Sequence, residues 1–242
     1  MSELKVKGLS KSFGGLAAVQ DLDFEVKPGE IIGLIGPNGS GKTTTLNLIS
    51  GFLKPDSGEV IFGGKNIVGI PRHRLSREGI ARTFQLIKPF LEFTALQNVM
   101  VGRAYGHEAT HSLRQAEEDS REILAQVDLA DKSNVLAKDL RLMERKKLEL
   151  ARALATRPRL LLLDELMAGL NPKETDDACG QINRIRSSNI SIVVVEHIVK
   201  AICGVSDHIV VLNMGRKIAE GRPNDIIRDP TVIEVYLGKA HA

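Results

Sequence analysis

GPNGSGKT occupies residues 36–43 and satisfies the full G-x-x-x-x-G-K-[ST] pattern, which binds phosphate when a strand precedes it and a helix follows. Both flanks fit. IIGLIG at 31–36 is an apolar run of strand length, and a helix is expected from about Gly41 through TTTLNLIS to Gly51, because Leu46, Ile49 and the later Phe52 keep helical spacing and glycine stops it. Gly36, Gly39 and Gly41 let the backbone between Pro37, Asn38 and Ser40 curl so that successive N–H groups point inward. The following helix, with Thr44 in its first turn, adds its positive N-terminal end. Lys42 then pairs with the β and γ phosphates of a nucleotide, and Thr43 offers its hydroxyl to magnesium. A merely glycine-rich turn would not demand that lysine or that threonine.

Further out, LKVKGL and LDFEV alternate apolar and polar residues around the Gly14-Gly15 and Pro28-Gly29 pairs, which reads as antiparallel strands with turns. GEVIFGGKNI is a further strand with a glycine turn, and HIVVLNMGRKIAEGRP resembles a closing hairpin. From about 71 to 140 the pattern shifts to short charged helices, with Leu113, Ala116, Ile123, Leu124 and Val127 expected near one face. ERKKLELARALATR begins another helix, with Leu148, Ala151, Leu154 and Ala155 inward, and feeds the apolar strand RLLLLDE. Strands alternating with helices imply an α/β fold with a parallel sheet, here joined by an antiparallel N-terminal β region and a helical subdomain. Strands of such sheets deliver polar tips along one edge beside the phosphate loop. Asp164 is the natural carboxylate for magnesium, which prefers oxygen ligands. Glu165 faces differently and can orient and deprotonate an attacking water.

Composition excludes more than it assigns. The 242 residues carry 33 basic and 30 acidic side chains, too even a balance for a dedicated nucleic-acid binder, so no nucleic acid is expected as partner. Cys179 and Cys203 lack metal-ligand spacing and are expected to be buried thiols. MSELKVKGLS has charges but no apolar core of a signal peptide, and no run approaches a membrane span of about 20 residues. Any membrane role is therefore through a partner.

Phosphate loops occur in many NTPases, and four further segments narrow the choice: RTFQ ending at Gln85, ELARALATRPRLLLLDE ending in Asp164 and Glu165, AGLNP, and VVVEH ending at His197. Together they resemble the ABC ATPase family across essentially the whole chain. ARTFQ, GLNPKE, VEH and the ending VIEVYLG look most like the ATPases of branched-chain amino-acid importers and their close relatives. The resemblance implies a P-loop NTPase of ABC type as a single ATP-binding domain over 1–242, with a RecA-like plus antiparallel β core at 1–70 and 158–242 and a mainly helical signature subdomain at 86–157. It makes Gln85 a residue whose amide reaches magnesium or the attacking water, and whose loop meets the membrane subunit. His197 becomes the histidine that hydrogen-bonds the γ-phosphate and the catalytic Glu165, and Phe13 the ring stacked on adenine. Asn171 stands where the family usually has Asp, in a loop that contacts the opposite subunit.

One segment departs from the family. Its LSGGQ-like signature aligns with Leu140, Arg141, Leu142, Met143 and Glu144, so the serine hydroxyl and the glycine that admits phosphate to the backbone are both replaced. The chain forms a heterodimer with a paralogous ATPase carrying an intact signature, which is favoured over a homodimer, or Arg141 pairs with the γ-phosphate itself, or this helix is purely structural. The resemblance further implies ATP and Mg2+ as cofactors, membrane-spanning permease subunits as partners and, indirectly, an extracytoplasmic solute-binding protein. The place is the cytoplasmic face of the cell membrane, peripherally. The function implied is ATP hydrolysis that powers import of a small polar solute, a branched-chain amino acid or related compound. A soluble non-transport ABC ATPase is the alternative, but about 120 residues between Lys42 and Asp164 leave no room for the long coiled coil of the DNA-repair relatives.

Overall fold

The computed structural model describes residues 2–83 and 88–237, so Gln85 lies outside the described residues. The chain forms two compact units, residues 1–71 with 162–242 and residues 72–161. In chain order the first unit begins with β1 (Leu4–Phe13), β2 (Leu16–Val26), β3 (Ile31–Ile35), α1 (Lys42–Ile49), β4 (Ser57–Phe62) and β5 (Lys65–Asn66). The second holds α2 (Arg72–Glu78), β6 (Ile80–Arg82), α3 (Ala95–Tyr105), α4 (Leu113–Gln126) and α5 (Leu142–Ala155). The chain returns to the first unit within β7 (Leu160–Asp164). It then forms α6 (Pro172–Arg186), β8 (Ser191–Val195), α7 (Val199–Val205), β9 (His208–Asn213), β10 (Arg216–Gly221), α8 (Pro223–Ile226) and α9 (Pro230–Leu237).

Two sheets build the first unit. β2-β1-β4-β5 is antiparallel, and along β2 the buried Val19, Leu22, Phe24 and Val26 alternate with exposed or half-buried neighbours. The other sheet runs β10-β9-β3-β8-β7, with β3 parallel to both β8 and β9. Every residue of β3, β7 and β8 is buried, as expected of strands covered on both faces. Each of Leu160 to Leu163 is fully buried, at about 2 kcal/mol apiece. That burial fixes the register of β7 and so the place where Asp164 emerges. Cys179 and Cys203 are half-buried rather than buried: they sit on α6 and α7, at the outer layer, and burial still pushes both thiols up.

In the second unit Thr94 and Gln97 close a capping box on α3, and Ser112 caps α4. α5 turns Leu148, Ala151, Leu154 and Ala155 inward as expected. Leu113 departs from expectation at 79% exposed: it occupies the first turn of α4, where it lines an open cleft instead of the core, while Ala116, Leu124 and Val127 are buried. Asp119, from α4, accepts from Arg103 Nε at 2.5 Å and from Arg157 at 3.1 Å, and the Arg103 guanidinium holds its carboxyl below the usual range. Asn98 is fully buried and clamps the preceding loop, its Oδ1 accepting the Phe90 N–H at 2.9 Å and its Nδ2 donating to Phe90 and Thr94 carbonyls at 3.0 Å. That clamp presents Phe90, Leu91 and Phe93 outward, each between 43% and 48% exposed.

The altered signature segment opens α5. Arg141 is the exposed N-cap, and the Glu144 carboxylate accepts its backbone N–H at 2.8 Å. A guanidinium has no lone pair to accept from the helix in return. Glu144 thereby caps the start of its own helix.

Candidate functional site

The phosphate loop owes its shape to three positive φ angles, 153° at Gly36, 76° at Gly39 and 105° at Gly41. Close approach forbids side chains as well. A Cβ on Gly36 would lie 2.1 Å from the Leu212 carbonyl oxygen, and one on Gly41 2.4 Å from that of Ala18. Gly36→Ala is therefore expected to lower unfolding free energy by about 3 kcal/mol, overpacking adding to left-handed strain. It is also expected to abolish nucleotide binding. Chemical denaturation alongside a nucleotide titration checks both, and a variant as stable as the parent contradicts the packing.

Lys42, the first residue of α1, is 5% exposed, and its Nζ donates to the carbonyls of Gly36 at 2.8 Å and Pro37 at 3.0 Å. The lysine thus spans the mouth of the curl. Burial lowers its pKa from the ordinary lysine value, opposed by the negative charges of Glu165 and Asp164. A second hairpin braces the loop: the Gly215 N–H, at the β9–β10 turn, donates to Ser40 O at 3.0 Å, while Gln20 binds Met214 O at 2.9 Å.

Together these elements border a cleft of about 570 Å³. Asn38, Gly39, Ser40, Gly41, Lys42, Thr43 and Thr44 line it, as do Glu165 and His197. Asp164 ends β7 at 5% exposure, and Glu165 turns away from it because the chain enters the left-handed region there, φ 51°. His197 Nε2 lies 2.6 Å from Glu165 Oε1, a hydrogen bond that the carboxylate accepts. Two residues picked from one strand end and the tip of another are thus brought together. Gly36 and Pro37 contribute carbonyls to Lys42 rather than lining. Phe13 is not among the lining residues: at the end of β1 it is 45% exposed, with the Lys11 ammonium 5.6 Å from its ring centre.

Sequence reading missed a further wall, formed by Leu16, Ala17, Ala18 and Gln20 of β2 and by Met214. No motif marks them. The signal in the sequence was the Met-Gly turn of the expected closing hairpin, and its position over the loop follows from the sheet. Asn171 caps α6, accepting the Glu174 N–H at 3.0 Å while Glu174 accepts its own at 2.9 Å.

A strand, a curl with buried lysine and a helix, with an acid pair on the same sheet, define a P-loop nucleotide triphosphatase. The family model described as ABC transporter matches residues 19–168, and one described as branched-chain amino acid ATP-binding cassette transporter matches 216–242. The chain is 40% identical over 250 residues to the high-affinity branched-chain amino acid transport ATP-binding protein BraF of Pseudomonas aeruginosa, covering 98% of each. It is 32% identical to the lipopolysaccharide export system ATP-binding protein LptB of Escherichia coli, covering 99% of this chain and 98% of that one. A crystal structure of an ATP-binding cassette of an ABC transporter in its ADP conformation superposes with a TM-score of 0.89 at 31% identity, covering 99% of this chain and 100% of that one. The chain belongs to the ABC transporter family, as one of its ATP-hydrolysing cassettes. Among the described residues no helix is long and apolar enough to cross a membrane.

Proposed function

We propose that this cassette powers import of branched-chain amino acids or closely related small polar solutes, working in a pair beneath membrane-spanning permease subunits at the cytoplasmic face of the membrane. The observation that carries the ATPase part is the convergence of Lys42, Glu165 and His197 on one cleft. In this reading the curl Gly36 to Thr44 grips the triphosphate, and the ammonium of Lys42 leaves its two carbonyls for the β and γ oxygens. Ser40 Oγ is buried without a hydrogen-bond partner among the described residues, an orphan that a phosphate oxygen satisfies. Thr43 and Asp164 would supply oxygen ligands, the kind magnesium prefers, with Gln85 added by the family resemblance, and magnesium held there would neutralise charge on the phosphates. Glu165 takes the proton of the attacking water, His197 holds Glu165 and meets the γ-phosphate, and Phe13 stacks on adenine from the hairpin tip.

The solute class is supported by likeness to BraF and by the family match at 216–242. Exposed Phe90, Leu91 and Phe93 support a membrane partner over a soluble role, since clustered apolar surface marks interaction sites. The lost signature chemistry at Arg141 and Met143 favours a paralogous ATPase as the other half of the pair. Purifying the native complex through this chain tests the whole reading. Permease subunits and a binding protein loaded with a branched-chain amino acid are expected. Recovery without any membrane protein would favour the soluble alternative, and a lipid or sugar on the binding protein would remove the solute assignment.

A further inference from the structure

The carboxylate immediately before His197 has no part in the chemistry above, yet Glu196 is 1% exposed and lies inside the fold at the end of β8. Its Oε1 accepts the backbone N–H of Met167 at 2.5 Å. Met167 is itself fully buried, so that N–H has no access to water and needs an internal acceptor. The contact falls at a sensitive point. Two residues earlier Glu165 holds φ 51°, a left-handed conformation that a non-glycine residue keeps only when its surroundings impose it.

The constraints can be traced on both sides of that residue. The Glu165 N–H donates to Val195 O at 3.0 Å, and the Glu165 carbonyl accepts from Ala168 at 3.3 Å. Glu196 then pins the next buried amide, so residues 195 and 196 grip the chain on either side of the strained carbonyl. Four residues beyond Met167, Asn171 closes the loop by capping α6. Removing Glu196 leaves the buried Met167 N–H without this acceptor, and that loss is expected to let Glu165 relax toward ordinary backbone angles, which swings its carboxylate away from His197.

We infer that Glu196 is a positioning residue for hydrolysis: it holds the 166–171 loop by the Met167 amide and so keeps Glu165 in the left-handed turn that aims it at the attacking water. The inference rests on the reading of Glu165 as the base. Glu196 is not among the residues lining the cleft, so it should govern turnover and leave binding alone.

Steady-state hydrolysis by the full chain, purified with its membrane partner, separates kcat from KM for ATP in Glu196→Ala, Glu196→Gln and the control Glu165→Gln. Glu196→Ala is expected to lower kcat about 10- to 100-fold, the effect of a small misplacement of a catalytic group, with KM within about twofold. Hydrogen exchange at the Met167 amide should accelerate in the same variant. Glu196→Gln should keep kcat within about threefold of the parent, because its amide oxygen still accepts that N–H. Should the alanine variant fail to fold, Glu196→Asp, which keeps the charge but draws the oxygen back by one methylene, is expected to show the same loss. Unchanged kcat in the alanine or aspartate variant, or equal loss with glutamine, overturns the positioning role. Normal turnover by Glu165→Gln would instead remove the base on which it rests.

Discussion

Lys42→Ala is expected to weaken Mg-ATP binding by about 10- to 100-fold, the equivalent of the ~1.5–3 kcal/mol of a hydrogen bond to a charged group. Two effects oppose, and the first is expected to be larger. The triphosphate loses an ammonium placed at the mouth of the curl, while the carbonyls of Gly36 and Pro37, which that ammonium must leave on binding, no longer compete for it in the empty loop. Calorimetric titration with Mg-ATP measures the change directly. An unaltered affinity, with the variant folded, would mean that the nucleotide lodges somewhere other than this loop.

Glu165→Gln is expected to lower turnover by about 10²- to 10⁴-fold, the usual worth of a general base, with Mg-ATP affinity retained. The geometry explains why binding survives. His197 Nε2 donates to Glu165 Oε1 at 2.6 Å, and a glutamine oxygen can accept the same hydrogen bond, so the site keeps its shape and loses only basicity. The closed, nucleotide-filled pair should therefore accumulate. In a complex where only this chain is altered, near-complete loss of hydrolysis supports one competent ATP site, the one built on this loop. Retention of half the activity speaks for a second working site, and thus for Arg141 replacing the missing signature chemistry.

The local chemistry was legible before any fold was known. Lys42 and Thr43 after three glycines admit few uses besides phosphate, and the buried run Leu160 to Leu163 announced a strand that delivers Asp164 and Glu165 at its tip. Periodicity failed where packing was absent: Leu113 keeps the spacing of the buried face of α4, but among the described residues nothing buries it in the helix's first turn. It was also silent on the cysteines, which are half-buried because α6 and α7 form an outer layer.

The phosphate loop, the two acids and the strands and helices that carry them follow from residues close along the chain. Which remote groups meet them depends on packing: His197 on Glu165, Glu196 on the Met167 amide, and Met214 with β2 as a further wall of the cleft. Strand order is the physical reason. Setting β8 beside β7, and β9 beside β3, joins segments whose separation along the chain carries no pattern that names their neighbours.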